Sequence, residues 1–239
     1  MYDPLPAARL LYDARVPGQS LTGLPNSVAP VNLDQAYRIQ AALCENLIST
    51  RGPIQGYKVG CTNASARSLL GINSCFSGRC FERDIKQTPT TIIYSDYHMV
   101  GIEPEIAMRV GQDLLPTDHW TAEIVSELTI EVMPSIELVE SRFSTWPEMG
   151  ALLAVADNGV HRELILGEQI SDWTLESVNR TEVSLLANDE LVEKGHAMNV
   201  DGGPFGVLAW LANHLNTQGT ALRAGETVTT GVLTNIYNA

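Results

Sequence analysis

A chain of 239 residues has room for one large domain, or for a small lobe joined to a larger one. Hydrophobic residues at 44% and charged residues at 18% describe an ordinary globule and exclude disordered, collagenous and coiled-coil chains. Fifteen Lys and Arg against 28 Asp and Glu leave a formal charge of −13, a field that repels nucleic-acid phosphates and anionic lipid heads, so neither is expected as a partner.

The N-terminal stretch MYDPLPAARLLYDARVPG sets Asp3, Pro4 and Pro6 before a short apolar run, which is not the basic-then-apolar order of a signal peptide. No apolar run approaches the roughly 20 residues of a membrane helix. A cytoplasmic protein is expected, with its four cysteines as reduced thiols; Cys75 and Cys80 lack the second pair or neighbouring histidine that would complete a zinc set.

Pro4–Arg15 and Asn32–Ser49 carry apolar residues at helical spacing, with Asn32 as an N-cap and Gly52-Pro53 as the stop. Ile54–Gly60 reads as a short strand and Ala64–Leu70 as a helix closed by Gly71. From Thr90 the pattern turns to β: 90–110 and 124–143 are rich in β-branched residues, joined by a loop over Gly111–Asp118. Leu191–His196 reads as a hairpin edge, Val207–Gly219 as a helix, and 226–237 as a further strand whose edge lacks a following partner. These elements predict a helical N-terminal lobe over 1–75 and a mainly β catalytic domain over 76–239, without repeats or low-complexity tracts.

The chemistry centres on Glu103-Pro104-Glu105. In a strand, residues i and i+2 share a face, so both carboxylates project together while Ile102, Pro104 and Ile106 pack on the other side. Pro104 donates no ladder hydrogen bond, which predicts an edge or irregular position. Glu137 interrupts the apolar run Ile136, Leu138, Val139 and needs a partner if buried. Three carboxylates without clustered His or Cys favour a hard cation, Mg²⁺ or Mn²⁺. On spacing alone, the same residues also read as two exposed acids on an edge strand and one salt-bridged glutamate.

Lys58, between Gly56 and Gly60, can approach a ligand closely and act in proton transfer, or be a plain surface lysine. Asp157-Asn158 ends an apolar run, as a pocket mouth or as a simple turn. The five histidines show no metal-ligand spacing. Phosphate-loop, nucleophile-elbow and Cys/His nucleophile signatures are absent.

GYKVGCT, LGI, IEPEIAMRVG, PSIELVESRFSTW, VADN, LILG, LAWLANHL and TVTTG occur in the order found in bacterial 2-keto-4-pentenoate hydratases and 4-oxalocrotonate decarboxylases, of the fumarylacetoacetate hydrolase superfamily, which this chain resembles from about Gly56 onward. The resemblance implies an α+β fold, a mixed β-sandwich roll with a small helical N-terminal lobe, and Mg²⁺ or Mn²⁺ held by Glu103, Glu105 and Glu137. It also implies Lys58 as catalytic acid/base, Asp157, Asn158, Arg79 and Thr230 at the substrate, and a homo-oligomer. The implied substrate is a 2-oxo or 2-hydroxydienoic acid of aromatic meta-cleavage catabolism, chelated by the cation so that an enolate is stabilised.

A hydratase giving a 4-hydroxy-2-oxo acid is the first expectation. A 2-oxo-hexenedioate decarboxylase and a non-catalytic metal-binding paralogue are the alternatives. The chain departs from its relatives in two places. Phe76 and Ser77 stand where an acid is frequent, and Gly159, Val160, His161 and Arg162 follow the D-N pair where hydratases continue with Ala-Ser. Arg79, Arg162 and His161 are candidates to meet a second acidic group of a substrate. The strands that usually follow the Thr230-Gly231 match are expected to be missing.

Overall fold

The computed structural model describes residues 2–116 and 119–239; Thr117 and Asp118, part of the loop expected over 111–118, lie outside the described residues. In chain order its elements are α1 (Leu5–Asp13), α2 (Leu33–Arg51), β1 (Ile54–Gly60), α3 (Ala64–Leu70), β2 (Phe76–Phe81), β3 (Ile85–Gln87), β4 (Gly101–Val110), α4 (Ala122–Glu127) and β5 (Thr129–Val139). There follow α5 (Gly150–Ala156), β6 (His161–Leu166), α6 (Leu175–Asn179), β7 (Glu182–Ala187), β8 (Glu190–His196), α7 (Gly203–Thr217), β9 (Thr227–Thr229) and β10 (Tyr237–Asn238). The expected Asn32 cap forms, its side chain accepting from Gln35 N, and Gly71 closes α3 in the left-handed region; at the other end of α3 the Asn63 side chain accepts from Ala66 N.

An eight-stranded mixed sheet runs β2-β1-β9-β4-β5-β6-β3, with β10 also on β4, and β7–β8 form a separate hairpin. β1 is antiparallel to β2 and parallel to β9; β4 is antiparallel to β5 and β9. Although β1 falls in the helical N-terminal part of the sequence, it is a member of this main sheet. The sheet curls until Cys80 of β2 meets Ala107, Met133, Leu164 and Leu166 of β4, β5 and β6 in one inner cluster. Outside, α7 covers Tyr57, Val59, Ile106, Met108 and Val228, while α1, α2 and α5 pack around Phe76, Phe81 and Phe143. This α+β roll is the expected fold class. No helix among the described residues is long and apolar enough to cross a membrane.

Three strand expectations are corrected. Residues 90–100 hold only a 3₁₀ turn, Tyr94–Asp96, with Ile93 and Tyr94 exposed; β-branched composition reports a fit to a half-buried pleat, and among the described residues no strand forms a ladder with this stretch. Residues 124–127 belong to α4, which Thr121 caps by accepting from Ile124 N and which packs on α7. The run 226–237 is not one strand: it pairs over Thr227–Thr229, breaks at Gly231, whose φ is 96°, and pairs again on β4 only from Tyr237, where β10 begins.

Candidate active site

β4 and β5 pair with Glu103 directly opposite Glu137 and Glu105 opposite Ser135, so all three carboxylates face the inside of the roll. Ile106 and Met108 sit beneath α7, and Ile102 packs with Tyr97, Val100 and Leu138, as the period of two requires. The expectation for Pro104 is corrected in part: β4 is an interior strand. The Pro104 carbonyl accepts from Leu233 N, so the side of the residue that lacks an N–H faces the irregular segment between β9 and β10 instead of β5.

Lys58 reaches the carboxylates from β1, with Nζ 2.8 Å from Glu137 Oε2; Lys58 is 2% exposed and Glu137 fully buried. The second Glu137 oxygen, Oε1, lies 2.8 Å from His161 Nδ1. Burial alone would raise the Glu137 carboxyl, but the Lys58 charge and the His161 contact hold it below its ordinary value. Burial likewise works against the Lys58 ammonium, and Glu137, Glu103 and Glu105 together raise its pKa. Glu103 is pushed up to about 7 by desolvation, with Lys58 opposing and Glu137 adding to the rise. Desolvation, then Glu137 and Glu103, put Glu105 well above the carboxylate range.

These shifts describe a surplus of buried negative charge: three carboxylates face a single ammonium. Like charges directly across an antiparallel pair are destabilising, and a bound divalent cation removes that penalty. The donor set fits one, since oxygens of Glu103, Glu105 and Glu137 lie within 4.8 Å of one another. Glu105 is also pre-oriented. Its Oε2 accepts from the Thr229 hydroxyl and, at 2.8 Å, from Gly231 N, while its Oε1 is buried without a hydrogen-bond partner. An all-oxygen set of this kind suits a hard ion.

The Lys58 stem is held between two glycines. A Cβ on Gly78, opposite Lys58 in the β1–β2 register, would fall 3.1 Å from Lys58 Cγ and 2.4 Å from the Asn158 carbonyl oxygen. A Cβ on Gly159 would lie 3.1 Å from Lys58 Cδ. Asn158, Gly159 and Val160 all have positive φ (56°, 64°, 55°), which for a β-branched valine costs on the order of 1–3 kcal/mol. That strain brings the turn against the lysine.

Lys58 and Glu103 line a cleft of about 370 Å³ that is walled by Phe76, Val139, Val160, Leu69, Trp146 and Ile236 and edged by Thr62, Asn63, Ser65, Thr234 and Asn235. The other residues expected at a substrate do not line it. Asp157 is fully buried and binds Arg142 (Nε 2.8 Å) and Arg15 (3.1 Å); Asn158 bridges the Arg79 backbone, accepting from its N and donating to its O, each at 2.8 Å. The Arg79 side chain faces Cys44 of α2, and the Thr230 hydroxyl donates to Ile106 O at 2.8 Å. Arg162 lies over the Tyr97 ring at 5.0 Å, and Ser77 accepts through its carbonyl from Gln40 of α2. Phe76, not an acid, occupies the β2 position in the cleft wall. Thr229 and Gly231 are the site residues that sequence reasoning did not identify, a buried polar run beside glycine being their only signal; His161, expected to meet a second acidic group of a substrate, instead binds Glu137 and does not line the cleft.

No family model matches the chain. It is 30% identical over 228 residues to the 2-keto-4-pentenoate hydratase of Paraburkholderia xenovorans strain LB400, covering 95% of this chain and 84% of that one. It is 27% identical over 227 residues to 2-keto-4-pentenoate hydratase 1 of Dechloromonas aromatica, covering 95% and 86%. In structure it is similar to a 4-oxalocrotonate decarboxylase from Pseudomonas putida G7 complexed with magnesium and adipate, with a TM-score of 0.90 over 99% of this chain and 89% of that one at 22% identity. That likeness carries the fold, the fumarylacetoacetate hydrolase-like roll. With the sequence match spanning nearly all of its length, the chain belongs to the 2-keto-4-pentenoate hydratase family of lyases.

Proposed function

We propose that this protein hydrates a 2-hydroxypenta-2,4-dienoate-like acid to a 4-hydroxy-2-oxo acid, with Lys58 moving the proton and Glu103, Glu105 and Glu137 holding a Mg²⁺ or Mn²⁺ ion. The carrying observation is the buried Lys58–Glu137 pair among three carboxylates, beside the cleft that Lys58 and Glu103 line. When bound, such a cation supplies positive charge to the substrate's carboxylate and 2-oxo oxygens. Lys58 carries the proton that the reaction needs at the terminal carbon of the dienol: the 2-hydroxyl proton leaves, C5 gains one, and the double bond moves to C3–C4. Water then adds its oxygen to C4 and a proton to C3.

Phe76, Val139 and Val160 give the diene an apolar wall, while Thr62, Asn63, Thr234 and Asn235 offer neutral hydrogen-bonding groups that can hold the added water. A buried site of this kind strengthens every electrostatic contact in it. Hydration is favoured over decarboxylation of a hexenedioate by charge. Among the described residues Lys58 is the one cationic side chain lining the cleft, and a dicarboxylate would bring a second negative charge with nothing to meet it.

The test is loss of dienol absorbance on adding 2-hydroxypenta-2,4-dienoate to the purified protein with Mg²⁺, accompanied by a CO₂ assay. Mg²⁺-dependent loss without CO₂ is expected. CO₂ release from 2-oxo-hex-3-enedioate would establish the decarboxylase instead, and inertness toward every dienoate would leave a non-catalytic paralogue.

A further inference from the structure

We propose that His161 is a positioning residue that holds Glu137 as a cation ligand from the side away from the cleft. The inference rests on the reading of the three glutamates as a cation site. His161 is 2% exposed and does not line the cleft. A carboxylate only accepts, so Nδ1, 2.8 Å from Glu137 Oε1, carries a hydrogen and donates it. Nε2 points away, buried, toward a void of about 10 Å³ bordered by Arg51, Asp84, Asn158 and Arg162, room for one water at most.

This placement is built by an irregularity in β6. Leu138 pairs with Glu163 but Val139 pairs with His161, so one extra residue, Arg162, is inserted. In an unbroken strand His161 would share a face with Glu163, opposite to the inward Leu164 and Leu166. The bulge reverses this, turning His161 in to Glu137 and Arg162 out over Tyr97. Bulges re-aim side chains beside functional sites in this way.

The contact matters because Glu137 has two donors with different duties. Lys58 holds Oε2 at 2.8 Å and must part from it to deliver a proton to a substrate. With no other donor, a ligand carboxylate would be free to swing after the ammonium. His161 is the donor that stays on Oε1, so Glu137 keeps its orientation while Lys58 moves.

The test is calorimetric Mn²⁺ binding, without substrate, to the parent, His161→Phe and His161→Gln proteins. His161→Phe should weaken Mn²⁺ about 10- to 100-fold, the usual effect of losing a partner behind a metal ligand, and His161→Gln, whose amide N–H can donate, should recover most of the loss. In a Glu137→Gln background, His161→Phe should change affinity less than twofold. In the unsubstituted protein, the His161 Nδ1–H proton resonance should be slow to exchange and should shift on adding Mg²⁺, a readout that does not depend on any variant folding. Unchanged Mn²⁺ affinity in His161→Phe, equal weakness of His161→Gln, or an unmoved resonance despite Mg²⁺ binding would overturn the role of His161. Absence of Mn²⁺ binding by the parent would overturn the cation site itself, and the inference with it.

Discussion

Replacing Lys58 by Met removes the ammonium and keeps the length of the stem that passes between Gly78 and Gly159. Three consequences follow from the geometry. Turnover should fall about 10²- to 10⁴-fold, the usual contribution of a positioned proton-transfer group. The cation-free protein should lose stability, because removing one partner of a buried ion pair costs about 3–5 kcal/mol. That loss should be greater at pH 8 than at pH 6, since Glu137, without Lys58, rises toward protonation and a proton relieves the unpaired charge. Cation affinity should rise, because the ammonium repels a second cation at the same carboxylates. Two unit charges 4 Å apart at an effective dielectric of 20 interact by about 4 kcal/mol, and even a third of that is a tenfold change. Thermal melts with and without Mg²⁺, calorimetric Mn²⁺ binding and dienol absorbance read the three effects separately. Weaker cation binding in Lys58→Met, or turnover within threefold of the parent, would refute the assignment of Lys58 as a proton carrier competing with the cation.

Glu105→Gln should abolish calorimetric Mn²⁺ binding in the micromolar range while the protein still folds, because its Oε1 is the one carboxylate oxygen of Glu105 left without a donor. Mn²⁺ affinity of the parent should fall as pH drops below about 7, the value to which Glu103 is pushed in the cation-free site, since a protonated carboxyl must lose its proton to bind; titrations between pH 6 and 8 check the direction. Asp157→Asn should cost about 3–5 kcal/mol in urea unfolding by taking the carboxylate from Arg15 and leaving Arg142 with Glu140 alone, while Mn²⁺ affinity stays within threefold. Gly159→Ala, at φ 64° and 3.1 Å from Lys58 Cδ, should lower kcat more than it raises KM by displacing the lysine, which steady-state kinetics would show.

What the sequence disclosed follows from which periodicities survive folding. Glu103 and Glu105 share a face because a strand alternates, and an interior strand obeys that rule whatever its neighbours are. Glu137 was legible as an acid in an apolar run, but its place opposite Glu103 depends on the β4–β5 register, which no residue of either strand announces. Lys58 comes from the other side of β9, and only the curl of the sheet brings it to Glu137. The β-rich stretch at 90–100 misled for the complementary reason: composition suited a pleat, and no strand among the described residues pairs with it.

Asp157, Asn158, Arg79 and Thr230 raise a different issue, since polar residues beside a glycine or at a strand end can serve a ligand or the backbone, and the residue types are the same in both cases. Here the internal partners are numerous enough to account for them. Asp157 binds two arginines, Asn158 clamps Arg79 through both amide atoms, and Thr230 donates to the strand that carries Glu105. Their work is to fix the turn at 158–160 and the end of β9, and so to fix Lys58 and Glu105. His161 is the converse case, a histidine with no ligand spacing that the inserted Arg162 rotates onto Glu137. The segment that follows the D-N pair therefore acts on Glu137 from behind the cleft, through His161, and leaves the cleft wall to Val160.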